Sequence, residues 1–154
     1  MRKAFSMLTA IFIIVLMATV AAFILNLSGK MVQETTTQFQ REQAMLLAKS
    51  YTEYAIMAVT ANDHTSATCL DTITGGYGDD GSGNDLYTIN VDISYIGNNA
   101  NLGGASGCNN ILSSSVLEPK SPLNIIVDVF VSYPDLNHPD GLNMTYHRRS
   151  LQKI

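Results

Sequence analysis

The hydrophobic and polar positions divide the chain into an apolar N-terminal segment, a helical continuation and an alternating C-terminal region. Residues 5–27 read FSMLTAIFIIVLMATVAAFILNL and include no charged side chain. As a helix, these 23 residues span roughly 34 Å, enough to cross a hydrocarbon core of about 30 Å. The pattern therefore predicts a transmembrane helix over 5–27.

Residues 28–61 are predicted to continue this helix as an amphipathic half. No proline interrupts them, and apolar residues recur at helical spacing. Leu47, Tyr51, Tyr54 and Ala58 are separated by four, three and four positions, which places them on one helical face. We expect this face to pack on the domain that follows. The helix would then run from Phe5 to about Ala61.

Residues 62–154 are predicted to form a small β-rich globular domain. Residues 86–96, LYTINVDISYI, alternate apolar and polar side chains, which is typical of a half-buried strand. Residues 123–133 alternate similarly, with Asp92 and Asp128 on polar positions expected to face water, and 142–151 favour a weaker strand. The glycine-rich segments 75–85 and 97–110 favour loops. The predicted fold class is α+β: a long N-terminal helix packed on a small, mostly antiparallel sheet of three or four strands.

The charged residues before the apolar segment predict how the chain is oriented in the membrane. Arg2 and Lys3 precede the apolar segment and favour a cytoplasmic N-terminus, with the rest of the chain across the membrane. The formal net charge is −4 and no basic stripe is present, which argues against nucleic-acid binding.

Two other interpretations of the N-terminus stay open. One is a cleaved signal peptide with its apolar core over 5–17, and the other is a plain uncleaved anchor.

The N-terminal pattern carries a resemblance to a known family. The short leader MRKA, an aromatic residue that opens a long apolar helix, and the amphipathic continuation together resemble the type IV pilins, most closely the type II secretion pseudopilins. The resemblance implies that a prepilin peptidase cuts between Ala4 and Phe5, which leaves residues 1–4 as a leader and Phe5 as an N-methylated terminus. The family usually has glycine where this chain has Ala4, and glutamate where it has Thr9.

The resemblance also implies a function and a set of partners. The chain would be a structural subunit of a type IV pilus-like filament or a type II secretion pseudopilus, and it would not be an enzyme. Its partners would be other pilin or pseudopilin subunits, the prepilin peptidase, the inner-membrane assembly platform and the membrane. It would reside in the bacterial inner membrane and then in a periplasmic or surface filament. The alternative function is a single-pass, membrane-anchored periplasmic binding or adhesion domain that does not polymerise.

Two cysteines are predicted to form a disulfide that stabilises the small domain. Cys69 and Cys108 enclose 38 residues, including the first predicted strand. An even pair beyond the membrane is expected to oxidise to a disulfide, and two free buried thiols are the alternative.

Candidate chemistry elsewhere is sparse. Asp80, Ser82, Asn84 and Asp85 offer alternating oxygen atoms that weakly suggest a calcium loop, but glycine and glutamate are missing from its sixth and twelfth positions. A solvated turn is the favoured interpretation, and no cofactor is expected. His64, His138 and His147 lack neighbours at metal-ligand spacing, and the run His147-Arg148-Arg149 is expected to be a solvated strand end.

Overall fold

A computed structural model describes the backbone of residues 2–62, 69–98, 108–115, 123–135 and 141–154, and the side chains of these residues from Met7 onwards. One helix and five strands make up this part of the chain. They are α1 (Arg2–Ala61), β1 (Thr72–Tyr77), β2 (Tyr87–Gly97), β3 (Ile111–Ser113), β4 (Leu123–Pro134) and β5 (Asn143–Lys153).

The chain divides into two compact units, Met1–Phe39 and Gln40–Ile154. The first unit is helical throughout its described part. The second, which we call the globular unit, contains the remainder of α1 and all five strands. The division falls inside the segment 28–61 that the sequence assigns to the amphipathic half of the helix.

The five strands form one sheet in the order β1-β2-β4-β5. The pairs β1–β2, β2–β4 and β4–β5 are antiparallel. The short strand β3 pairs in parallel with β2 at Tyr95 and Ile96, beyond the end of β1. The predicted α+β class is therefore confirmed, although the sheet has five strands rather than three or four.

The core lies between the globular unit's part of α1 and one face of the central strands. The alternation predicted for β2 and β4 is present, because every second side chain in both strands is buried. The helix contributes mainly small side chains to this core. The residues with no exposed surface include Ala44, Ala48, Ala55 and Val59 from α1, Ile89, Val91 and Ile93 from β2, and Ile125, Val127, Val129 and Val131 from β4.

Strand β1 corrects one sequence prediction. Gly75, Gly76 and Tyr77 were expected in a loop, but they form the second half of this strand. Neighbouring side chains occupy the space beside both glycines: a Cβ at Gly75 would overlap the Tyr51 ring and a Cβ at Gly76 would overlap the Asp85 carboxylate, so either neighbour would have to move. Glycine leaves room for these neighbours within a strand, whereas its usual signal in sequence is a turn.

Other predicted boundaries shift by one or two residues. The strand expected over 86–96 is Tyr87–Gly97, and that expected over 142–151 is Asn143–Lys153. Most of the predicted loop at 97–110, and residues 136–140 before β5, lie outside the described residues.

Candidate functional site

The apolar segment of α1 is exposed along its described length. From Met7 to Leu27 no side chain is buried, and the helix is long and apolar enough to span a membrane. Its polar groups are satisfied locally, as in Thr19, whose hydroxyl donates to the Leu16 carbonyl at 2.8 Å. This segment fits single-pass anchoring. The side chains of Ala4 and Phe5, the predicted processing junction, lie outside the part that the structure describes.

The face of α1 that packs on the sheet is centred one position beyond the predicted stripe. Ala44, Ala48, Thr52, Ala55 and Val59 are buried. Of the four predicted residues, Leu47 and Tyr51 are partly buried against the core, Ala58 is partly buried, and Tyr54 remains 52% exposed. The larger side chains therefore flank the contact, and the fully buried residues of the helix are small.

Cys69 and Cys108 form a disulfide, as predicted, with their Cα atoms 4.8 Å apart. Polar contacts surround the bond. The Tyr95 hydroxyl donates to the Leu70 carbonyl at 2.8 Å, and the Asp71 carboxylate accepts the Asn109 side-chain amide at 2.8 Å. Burial raises the pKa of Tyr95 to about 12, so this hydroxyl remains a hydrogen-bond donor at neutral pH. The disulfide and the Asp71–Asn109 bond tie the segment before β1 to the segment before β3, and the Tyr95–Leu70 bond ties the former to β2.

Two residues of the weak calcium candidate, Asp80 and Asp85, have contacts of their own in the structure. Asp80 Oδ1 accepts from the backbone N–H groups of Ser82 and Asn84, at 2.7 and 3.2 Å, and these bonds lower the pKa of Asp80. Asp85 lies against Gly76 instead. In the same way, Asp79 Oδ1 accepts hydrogen bonds from the backbone N–H groups of Gly81 and Gly83. Within the described residues, no three His, Cys, Asp or Glu side chains are grouped to hold a metal ion.

An ion pair on the outer face of the sheet, between a buried carboxylate and a largely exposed arginine, was not predicted from the sequence. Asp128 on β4 is only 8% exposed. Its two carboxylate oxygens accept from Arg149 Nε at 2.7 Å and Arg149 Nη2 at 2.9 Å, and His147 Nε2 lies 2.7 Å from Oδ1. Phe130 stacks on the His147 ring with centroids 4.5 Å apart. We call these four residues the Asp128 cluster.

The Asp128 cluster corrects two expectations. Asp128 does not face water, and His147 and Arg149 are not simply solvated. The cause is register: Asp128 lies opposite Arg149 and Phe130 opposite His147. The bonds from Arg149, together with those from His147, lower the pKa of Asp128 despite its burial. His64 and His138 lie outside the described residues.

The Asp128 cluster joins β4 to β5 through side-chain hydrogen bonds. A histidine beside a carboxylate could serve as a general base, and for it to activate a nucleophile of this chain a hydroxyl or thiol would have to lie within hydrogen-bond reach. The nearest row of hydroxyls, Ser132 and Thr145, is engaged in a mutual hydrogen bond of 3.0 Å. No hydroxyl or thiol of the described residues is bonded to His147.

A groove beside the end of α1 is lined by no Asp, Glu, His, Lys, Arg or Cys of the described residues. It encloses about 490 Å³ beside the end of α1, and its lining is mostly apolar. The residues that line it are Tyr54, Ala58, Ala61, Asn62, Leu70, Thr72 and Ile73.

We expect Asp128→Asn to lower the free energy of unfolding at pH 7 by about 1.5–3 kcal/mol, the range for hydrogen bonds to charged groups. Because folding lowers the pKa of Asp128, its contribution is present above the ordinary carboxyl pKa of 3.8 and is lost as pH falls through the folded value. Urea unfolding of the full chain in detergent at pH 7 and pH 3 measures this difference. Asp92→Asn is the matched control, since Asp92 lies opposite Asp128 but forms no ion pair with a described residue. An equal loss at both pH values would contradict the prediction.

Comparison of the chain with known protein families, curated proteins and solved structures finds no match.

Proposed function

We propose that the chain is a structural subunit of a type IV pilus-like filament or a type II secretion pseudopilus. The observation that carries the proposal is the contrast along α1. Residues 7–27 expose apolar side chains on every side, whereas the helix from Ala44 onwards buries one face against the sheet. A helix that is apolar all round needs lipid or other helices around it. Lipid supplies that environment before assembly, and neighbouring subunits supply it afterwards.

The proposed mechanism is mechanical. The apolar side chains of residues 7–27 are removed from water both in the membrane and among the packed helices of a filament. Because the hydrophobic free energy scales with the area removed from water, the two states differ little in it. An inner-membrane platform could then move subunits from lipid to filament without a large hydrophobic barrier. The prepilin peptidase would act first, at the Ala4–Phe5 junction.

In the second candidate function the chain is anchored in the membrane by the same helix but does not assemble into a filament. A single-pass protein with a periplasmic binding or adhesion domain would have the same exposed helix and the same sheet. It differs in its mature N-terminus, because no prepilin peptidase would act on it.

N-terminal sequencing of the full-length protein recovered from bacterial membranes separates the candidates. Phe5, with a methylated amine, supports the filament subunit. Met1 supports the anchored domain. A terminus near Phe23 indicates a cleaved signal peptide and overturns both proposals, since the apolar segment would be lost.

We expect this chain to be a minor subunit of its filament. By resemblance, the residue usually found at the position of Thr9 is a glutamate that pairs with the N-terminal amine of a neighbouring subunit. Thr9 has no charge to offer that amine, and an unpaired charge in apolar surroundings is costly. Subunits at a tip have fewer neighbours and avoid part of this cost. Quantitative mass spectrometry of sheared filaments should therefore find the chain at low abundance, and a dominant share along the filament would contradict the expectation.

A further inference from the structure

Two buried side-chain atoms of the described residues have no hydrogen-bond partner, and they lie at opposite edges of the sheet. They are Asp71 Oδ1, directly before β1, and Arg148 Nε, in the middle of β5. Three strand spacings, roughly 14 Å, separate the two edges in the order β1-β2-β4-β5, so these groups do not meet within one copy. Because a charged group that is withdrawn from water without a partner is unfavourable, each of them has a contact left to make with another molecule.

Both side chains lie on the side of the sheet that faces α1. The Ile93 N–H donates to the Asp71 carbonyl at 2.8 Å, and Arg148 lies opposite Val129 of β4; Ile93 and Val129 are core residues. Asn109 donates two hydrogen bonds to Asp71 Oδ2, which fixes the carboxylate while Oδ1 stays unpaired. A carboxylate and a guanidinium are thus available on the same face, at two different edges.

The two edge strands also have backbone groups available for a further strand. In an antiparallel pair, alternate residues direct their N–H and C=O groups towards the neighbouring strand. Asp71 bonds to β2 in this way, and Ile154 bonds to β4, so the residues between follow from the register. Those that direct their backbone groups away from the sheet are Thr72, Thr74 and Gly76 at the β1 edge, and Asn143, Thr145, His147, Arg149, Leu151 and Lys153 at the β5 edge.

The directions of the strands allow these two edges to join. Each of the pairs β1–β2, β2–β4 and β4–β5 is antiparallel, so β1 and β5 run in opposite directions within one copy. Copies that are anchored in one membrane by the same helix share one orientation. In that orientation, β5 of a second copy lies antiparallel beside β1, and the helix of each copy stays on the same face of the joined sheet.

We infer that β5 of a second copy pairs with β1 in the register that places Arg148 of the second copy opposite Asp71. This register brings together the carboxylate and the guanidinium that lack partners within one copy, as a charge-assisted contact. It rests on the proposed filament function, which gives neighbouring copies a common orientation. The contact joins two different edges, so each copy keeps one edge of each kind free and the contact repeats.

The same register agrees with the other residues of both edges. Thr74 lies opposite Thr145 of the second copy, a favourable cross-strand pair of hydroxyls on the outer face. Tyr146 of the second copy lies opposite Ile73, which lines the groove of about 490 Å³ beside the end of α1. This groove has no charged side chain among the residues that line it, so it can accept a tyrosine ring.

The register also fixes how far neighbouring copies are displaced. Within one copy, Asp71 shares its row across the sheet with Ser150, through Ile93 and Val127. Between copies it would lie opposite Arg148, two residues away from Ser150. Neighbouring globular units would therefore be offset by roughly 7 Å along the strands.

Disulfide cross-linking between two differently tagged full-length chains tests the pairing. One chain carries Thr74→Cys and the other Thr145→Cys, and both positions are exposed. Opposite residues of paired strands are about 5.5 Å apart at their Cα atoms, within the range of a disulfide. We expect mild oxidation of membranes and filaments that contain both chains to give a mixed-tag disulfide.

Leu151→Cys in place of Thr145→Cys is the matched control. Leu151 is exposed on the same face of β5, but six residues from Thr145, roughly 20 Å along the strand. We expect its link to Thr74→Cys to be at least several-fold weaker. An equal yield from Leu151→Cys, or a stronger link of Thr74→Cys with itself, would overturn the inferred pairing.

Charge exchange supplies an independent readout. Arg148→Asp in both tagged chains should reduce the link between positions 74 and 145 several-fold, and adding Asp71→Arg to both should restore it. Failure of this rescue, with the Cys69–Cys108 disulfide intact, would overturn the Asp71–Arg148 contact. If the exchanged chain does not form that disulfide, the cysteine pair in otherwise unchanged chains decides the inference alone.

The outcomes separate this inference from the proposed function. Filaments without the link between positions 74 and 145 overturn the strand pairing and leave the filament function standing. The link in membranes of cells that never form filaments supports the pairing and counts against the filament function. Absence of both filaments and the link overturns the two together.

Discussion

Replacing Cys69 and Cys108 with serine is expected to lower the free energy of unfolding of the globular unit by about 4 kcal/mol. The two residues are 39 positions apart, and closing a loop of that length restricts the unfolded chain by roughly this amount in the chain-entropy model. The closed loop contains β1 and β2, and β2 is the strand with which β1, β3 and β4 all pair. Since a small domain has a total stability of about 5–15 kcal/mol, this change removes a large share of it.

Urea unfolding of the full chain in detergent, followed by the near-ultraviolet signal of its tyrosines, measures the loss. Wild-type protein treated with a reductant should match the double-serine variant, while the variant itself should not respond to the reductant. A double-serine variant that unfolds at the same urea concentration as the oxidised wild type would show that the bond does not stabilise the unit.

Ala4→Leu is expected to block processing almost completely. By resemblance to the pilins, the peptidase cuts directly after Ala4, and a narrow site that accepts alanine or glycine would exclude a leucine side chain. The uncut chain would keep its four-residue leader, with Arg2 and Lys3 still on the cytoplasmic side, and would accumulate in the membrane without entering filaments.

Intact mass and N-terminal sequence of the membrane-bound chain decide this prediction. Ala18→Leu is the matched control, because it makes the same change inside the apolar segment, where a larger apolar side chain is compatible with lipid. Normal release of Phe5 from the Ala4→Leu variant would show that the junction lies elsewhere.

Much of the fold could be predicted because two strands are buried on one face only. In β2 and β4 the apolar side chains recur every second residue, and this period is visible in the sequence without knowledge of any partner. The long helix was predictable for a similar reason, since its apolar segment needs no tertiary contact to be recognised. The strand β3 has only three residues and therefore carries no period.

The features that escaped prediction depend on contacts between distant residues. Gly75 belongs to a strand because its backbone pairs with Ile89 of β2, and the Tyr51 ring occupies the space beside it; composition alone shows neither contact. The Asp128 cluster depends on the register between β4 and β5, which no pattern within either strand specifies. The predicted packing face of α1 was one position away from the observed one. Leucine and tyrosine mark a helix face more strongly in sequence than alanine does.

The buried core begins at Ala44, and this has a practical consequence for experiments. Every described core residue, and the Gln40 carbonyl that contacts the Tyr87 hydroxyl, belongs to the globular unit. Cutting the chain just before Gln40 would remove the exposed apolar helix but none of these contacts. The fragment 40–154 is thus a natural starting point for crystallisation or solution NMR in the absence of detergent.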